Sequence, residues 1–141
     1  MRHTSVVHLD ATPSRVLPLV SDLSQYPQWM PIVHSVQDLG NNAWSVELRA
    51  KLGLLARSKR LRMVRTQCTD KSVVFERNES DGKVHSPWVL RISITSVDDA
   101  SDVEMDLSYG GALWSAGILD KVLAHAVDQG KLGLVRIVQA E

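Results

Sequence analysis

The sequence WSAGILDKVLAHAVDQGKLGLVRIV, residues 114 to 138, decides which fold the rest of the chain can adopt. At about 100° per residue, its apolar side chains fall on one broad stripe and its charged side chains fall opposite. The pattern predicts an amphipathic helix about 37 Å long, with a bend or a fray near Gly130 and Gly133. The predicted stripe consists of Ile118, Leu119, Val122, Leu123 and Ala126, and the opposite face carries Asp120, Lys121, Asp128 and Lys131.

The residues before this helix begin with one strand and two short helical segments. Residues 2 to 9 alternate and predict a first strand, and residues 13 to 21 predict a short helix that Pro18 should kink or shorten. Residues 22 to 31 contain two prolines, which forbid a long helix and leave room only for short turns. The apolar anchors of these turns are Leu23, Tyr26, Trp29 and Met30.

Six further strands are predicted before the long helix, because apolar and polar residues alternate between turn signals such as Gly40-Asn41-Asn42. Consecutive hairpins favour an antiparallel sheet with one wet face and one dry face, and a single long helix is the natural cover for the dry face. The predicted class is therefore α+β. The six strands span residues 32 to 39, 43 to 50, 57 to 68, 72 to 78, 84 to 96 and 102 to 109, with a loop of exposed leucines at 53 to 56.

The composition excludes several kinds of protein. Sixteen basic and sixteen acidic residues cancel, which gives no support for a nucleic-acid partner. The single cysteine, Cys68, rules out an internal disulfide and fits a reducing compartment. The first ten residues lack the apolar segment of a secretion signal, and the longest uncharged run is too short to span a bilayer. We expect one cytoplasmic domain, residues 1 to 141, without membrane insertion and of undetermined oligomeric state.

The chain shows no motif for metal, nucleotide or nucleophilic chemistry. Its histidines are scattered without zinc-ligand spacing, no glycine-rich phosphate loop follows a strand, and no nucleophile elbow is present. We therefore predict no metal, no cofactor and no catalytic residue. The histidines are His3, His8, His34, His85 and His125.

The run ATPSRVLPLVSDLSQYPQWMP at residues 11 to 31, followed by IVHSVQDL at 32 to 39, resembles the START-related helix-grip superfamily. Within it, the run is similar to the polyketide cyclase/dehydrase and lipid-transport group, which includes coenzyme-Q-binding proteins. The motif covers residues 11 to 39, and the order of elements fits the whole chain. The resemblance implies a seven-stranded antiparallel sheet curled around the long helix, with two short helices after the first strand. It also implies an apolar cavity for a lipophilic ligand between sheet and helix.

Residues predicted to point from the dry face or the helix into that cavity are the candidate ligand contacts. Arg77 would bind a carboxylate or enolate, or it lies at a strand end and extends into water. His125 would donate a hydrogen bond or act as an acid or base, or it is a half-exposed residue at the helix rim. The tryptophans line a pocket or fill the core. The candidates are Trp44, Phe75, Arg77, Trp88, Leu90, Met105, Tyr109, Trp114, Val122, His125 and Ala126.

Three functions fit these features. The first is binding or transport of a hydrophobic small molecule such as a lipid, an isoprenoid or a polyketide-like aromatic. The second is an aromatase/cyclase that folds a polyketide in the same cavity, which needs positioned donors and a proton shuttle. The third is docking on a macromolecule through the basic strand at residues 57 to 65, whose charges are otherwise the solvated face of a sheet. We rank the first above the other two.

Overall fold

The computed structural model describes residues 1–52, 55–110 and 116–140. Within these residues the chain forms seven strands, a short helix, a 3₁₀ helix and a long C-terminal helix, in the order and the α+β class that the sequence predicts. The elements are β1 (Arg2–Leu9), α1 (Pro13–Val20), the 3₁₀ helix (Leu23–Gln28), β2 (Val33–Gly40), β3 (Ala43–Leu52), β4 (Leu55–Cys68), β5 (Ser72–Arg77), β6 (Trp88–Val97), β7 (Ala100–Tyr109) and α2 (Ala116–Ala140).

The strands form a curved antiparallel sheet with the order β1-β7-β6-β5-β4-β3-β2. Consecutive strands pair with one another from β2 to β7, whereas β1 and β2 lie at opposite edges. The segment containing α1 and the 3₁₀ helix therefore carries the chain from one edge to the other. The predicted alternation is confirmed: Trp88 lies opposite Tyr109 and Ile92 opposite Met105, and all four side chains are buried.

Several predicted strand boundaries differ from the observed ones, by one to four residues. The strand predicted from residue 84 begins at Trp88, directly after Pro87, whose nitrogen has no hydrogen to donate to a neighbouring strand. Strand β4 begins at Leu55, so Leu55 and Ala56 belong to it rather than to the predicted loop. The rest of that predicted loop, residues 53 and 54, lies outside the described residues.

Two buried aromatic side chains complete the end of α1. The last carbonyls of a helix have no partner within it. The Tyr26 hydroxyl donates to the Val20 carbonyl at 2.8 Å, and the Trp29 indole N–H donates to the Leu19 carbonyl at 2.9 Å. The two rings lie 4.4 Å apart between centroids. Helix α1 thus ends two residues after Pro18, and the 3₁₀ segment supplies the groups that end it.

Helix α2 packs on the dry face of the sheet and continues through both of its central glycines. The predicted fray is wrong, because these glycines lie against the turn after the 3₁₀ helix. A Cβ atom at Gly133 would lie 2.0 Å from the carbonyl oxygen of Trp29, and one at Gly130 would lie 3.1 Å from the Met30 methyl group. The absent side chains let helix and turn approach each other. The buried residues of α2 are Leu123, Ala126, Val127, Gly130, Gly133, Leu134 and Val138.

We expect Gly133→Ala to destabilise the protein even though alanine favours helix formation. The added methyl group would collide with the backbone of Trp29, which cannot move without displacing the turn. Overpacking of this kind costs about 1–3 kcal/mol, against a gain of up to about 1 kcal/mol from helix propensity. Urea unfolding of the purified variant measures the difference.

Gly130→Ala is the matched control, because its methyl group would meet the flexible end of Met30 instead of backbone. Its stability should stay within about 1 kcal/mol of the parent. A Gly133→Ala variant as stable as Gly130→Ala would show that the close approach of α2 to Trp29 is not a packing constraint.

Candidate functional site

A cavity of about 80 Å³ lies between α2 and the concave face of the sheet. Leu123, Ala126 and Val127 contribute the helix side, and the opposite wall consists of apolar or aromatic side chains from the 3₁₀ helix, the turn after it and strands β2, β3, β4, β6 and β7. Of the wall residues, Trp88 and Met105 are buried almost completely. No charged side chain lines this cavity among the described residues, so it favours an apolar occupant.

Two side chains of the wall carry a polar atom that is buried behind the cavity surface, and the two atoms differ in how they are satisfied. Burial raises the pKa of the Tyr26 hydroxyl far above its ordinary value, so the group stays protonated and donates to Val20. The indole N–H of Trp88 is buried and has no partner within the described parts of the chain. An unpaired buried donor costs about 1–3 kcal/mol.

A second space, an open groove of about 650 Å³, adjoins the cavity. Ile32 and Ala126 line both spaces, so the groove leads directly to the cavity wall. The groove exists because β2 begins at Val33, opposite Leu48, while β3 continues to residue 52. The end of β3 therefore has no strand beside it on that edge and faces α2 across a gap. The remaining lining residues are Pro31, Arg49, Ala50, Lys51, Lys121, Val122, His125 and Gln129.

Some of the predicted ligand contacts line the cavity, some line the groove, and others line neither. Trp88, Leu90, Met105 and Ala126 line the cavity. Val122 and His125 line the groove, with Val122 half-buried and His125 exposed. Trp114 lies outside the described residues. The other four candidates line neither space: Trp44, Phe75, Arg77 and Tyr109.

Three of those four residues pack elsewhere in the core or bond to the helix. The rings of Trp44 and Phe75 meet edge to face at 5.7 Å, and Phe75 is fully buried. The Tyr109 hydroxyl donates to Asp120 at 3.3 Å, which joins the end of β7 to α2. Burial is the main cause that raises the pKa of the Tyr109 hydroxyl, and the neighbouring Asp120 carboxylate adds to it.

Arg77 is bound by the chain itself. Its side chain is only 8% exposed, and its guanidinium forms an ion pair with Glu79 at 3.2 Å. It also donates to the carbonyl and hydroxyl oxygens of Ser86, both at 3.3 Å, and lies 3.3 Å from Nδ1 of His85. These contacts hold the irregular segment 78–87 against the end of β5. Burial and the nearby charge of Arg77 lower the pKa of the Lys59 ammonium group.

The sequence pattern does not predict the groove, nor that the cationic residues Arg49, Lys51 and Lys121 line it. Each looks like an ordinary exposed charge in its own strand or helix. They come together because β3 extends beyond the paired part of β2 and because α2 presents Lys121 to that end of β3. The alternation of residues within one element predicts neither arrangement. The cavity residues Leu123 and Val127 carried a usable signal, since they share the helical stripe with Ala126.

Within residues 1–52, 55–110 and 116–140, no three His, Cys, Asp or Glu side chains are placed to hold a metal ion together. None of the described helices has the length and apolar character needed to cross a membrane.

A curved antiparallel sheet that holds a long C-terminal helix on its concave face defines the START-like helix-grip proteins. The sequence identifies the family within this class of proteins. Residues 1–138 match the family model for polyketide cyclase / dehydrase and lipid transport, and the chain belongs to that family. No curated protein sequence matches the chain.

Solved structures show the same fold at low sequence identity. A START superfamily protein from Mycobacterium smegmatis is 16% identical with a TM-score of 0.80, covering 99% of this chain and 97% of that chain. A conserved protein from Geobacillus kaustophilus is 14% identical with a TM-score of 0.80, covering 99% and 96%. The Zhui aromatase/cyclase from Streptomyces sp. R1128 is 12% identical with a TM-score of 0.67, covering 99% and 93%.

We expect Arg77→Met to destabilise the protein, because it removes the partner of Glu79 and the donors to Ser86. Hydrogen bonds to charged groups contribute about 1.5–3 kcal/mol each, so a loss of at least about 1.5 kcal/mol should appear in urea unfolding. Arg91→Met is the control, since Arg91 is an exposed arginine of the same sheet. Equal stability of the two variants would contradict a structural role for Arg77.

Proposed function

We propose that the protein binds or carries a hydrophobic small molecule, such as a lipid, an isoprenoid or a polyketide-like aromatic, in the cavity between α2 and the sheet. The observation that carries this proposal is the wall of the cavity, which is apolar on every side and adjoins an open groove. Burial of apolar ligand surface there contributes about 25 cal/mol per Å².

The size of the cavity indicates how such a ligand enters. About 80 Å³ is well below the volume of most ligand pockets, which hold about 300–1,000 Å³. A ring or chain must therefore extend into the groove or enlarge the cavity. Met30, Met63 and Met105 line the wall, and methionine side chains adapt their shape at low cost because they are unbranched and flexible. The wall is thus suited to ligands of more than one shape.

The aromatase/cyclase alternative has support from the family and from the fold shared with Zhui. Cyclisation requires a positioned acid or base beside the substrate. The described wall offers the Tyr26 hydroxyl, which is bonded to Val20, and the Trp88 indole, which only donates. Binding without chemistry therefore accounts better for this cavity.

Docking through the basic strand at residues 57 to 65 has less support, because three of its four arginines bond within the chain. Arg60 pairs with Glu47 at 3.0 Å, and Arg62 donates to the Asn78 carbonyl at 2.7 Å. Arg65 donates to the Ser21 carbonyl at 2.6 Å. These contacts favour the interpretation of this strand as the solvated face of the sheet.

We further propose that residues 1–141 form one domain, because a single cluster of buried side chains includes residues from Val7 in β1 to Val138 in α2. A cytoplasmic location stays a prediction that rests on the single, exposed cysteine, Cys68.

The proposed function predicts that Ala126→Trp abolishes ligand binding while leaving the fold intact. Ala126 lies between cavity and groove, so the new indole would occupy both the space of the ligand and its entrance. The parent protein should bind the neutral fluorophore N-phenyl-1-naphthylamine saturably, with increased probe fluorescence. The variant should bind it at least about tenfold more weakly, with a melting temperature close to that of the parent.

Leu132→Trp is the control, because Leu132 lies on the same helix and is 57% exposed. It adds the same indole outside the site and should leave the affinity unchanged. An Ala126→Trp variant that keeps full affinity, or that unfolds, would show that the cavity is misplaced.

A further inference from the structure

We propose that the ligand is an amphiphile with an anionic head group, a carboxylate or a phosphate, and one apolar chain. The chain would occupy the cavity and the head group would lie in the groove at Arg49, Lys51 and Lys121. This inference rests on the proposed function and specifies the chemical class of its ligand.

The first support is the continuity of the two spaces. Ile32 and Ala126 form part of the wall of each, so a molecule longer than the cavity extends into the groove. The cavity is lined without charge, whereas the groove carries its charge on exposed side chains. A ligand that fills both spaces must therefore be apolar at one end and polar at the other.

The second support is the sign of the charge in the groove. Arg49 and Lys51 extend from β3 and Lys121 from α2, so cations face the groove from both sides, and none of its described lining residues carries a carboxylate. Arg49 forms an ion pair with Glu47 at 3.0 Å, and Glu47 is shared with Arg60. Lys51 and Lys121 have no ion-pair partner in the described part of the chain. They are available to an anionic head group, which forms stronger hydrogen bonds with charged donors than with neutral ones.

The third support is the contrast with two other grooves of the surface. The chain as a whole is neutral. The groove beside α1 contains Asp70 next to Lys71, and the one at the turn between β6 and β7 is lined by Asp10, Asp98 and Asp99. Of these three grooves, the one that adjoins the cavity carries an excess of basic side chains, which would attract anions to the entrance.

The test compares three probes with the same eight-carbon chain: octanoate, 1-octanol and octylammonium. Each is titrated against the bound neutral fluorophore N-phenyl-1-naphthylamine. Octanoate should bind at least about tenfold more tightly than 1-octanol, and octylammonium should bind most weakly. Added salt should reduce the difference between octanoate and 1-octanol, because the head-group interaction takes place at an exposed site.

The double variant Lys51→Gln/Lys121→Gln should bind octanoate no better than 1-octanol, with its affinity for 1-octanol unchanged. The control is Lys71→Gln/Lys83→Gln, which removes the same net charge from exposed positions outside the groove. It should keep the preference for octanoate. Melting temperatures establish that both double variants are folded.

Two results would overturn the inference and leave the proposed function standing. In the first, octanoate and 1-octanol bind equally to the parent protein. In the second, only vesicles of phosphatidylglycerol bind through Lys51 and Lys121, which would make the groove a docking site for an anionic bilayer. If the neutral fluorophore does not bind to the parent protein at all, the proposed function itself fails, and the inference fails with it.

Discussion

Helix α2 rests directly on the backbone of Trp29, and the remaining architecture depends on that contact. A Cβ atom at Gly133 would lie 2.0 Å from the Trp29 carbonyl oxygen, so the approach tolerates no side chain. Trp29 in turn completes the end of α1 through its indole N–H. One contact therefore fixes α1, the turn after the 3₁₀ helix and the C-terminal half of α2 relative to one another. The cavity and groove lie beside the other half of α2, between Lys121 and Gln129, where side chains separate helix and sheet.

Apolar and charged groups are separated along this half of the helix. Leu123 and Val127 face the cavity, Lys121 and His125 face the groove, and Ala126 lies at the boundary. The separation follows from helical geometry, because residues three and four apart share a face while their immediate neighbours do not. A single turn of α2 thus contributes to both spaces. The difference in length between β2 and β3 then leaves the charged side open to solvent.

Strand alternation was sufficient to predict that Trp88, Met105 and Tyr109 are buried. In an antiparallel sheet with one face in the core, alternate residues of each strand point to the core and to solvent. The order of elements and the motif at residues 11 to 39 were sufficient for the family. The sequence was less informative where a residue contacts a part of the chain that is distant in sequence or lies outside regular secondary structure. In the sequence, Gly130 and Gly133 look like helix breakers, whereas in the structure they allow Trp29 to pack closely against α2. Arg77 has the alternation of a cavity residue, but its partners come from the irregular segment 78–87, which no periodic pattern describes.

The strand order also constrains the sequence of events during synthesis. Among the described strands, β1 pairs only with β7, and the backbone of Met1 accepts a hydrogen bond from Tyr109. Strands β2 to β7 can pair as each hairpin leaves the ribosome, but β1 must remain without a partner until β7 has been made. Closing so long a loop is entropically costly and slow. Helix α2, which bonds to β1 through Lys131 and Ser5, follows later still. The nascent chain therefore exposes the dry face of its sheet until α2 has emerged, and that interval is when aggregation competes with folding.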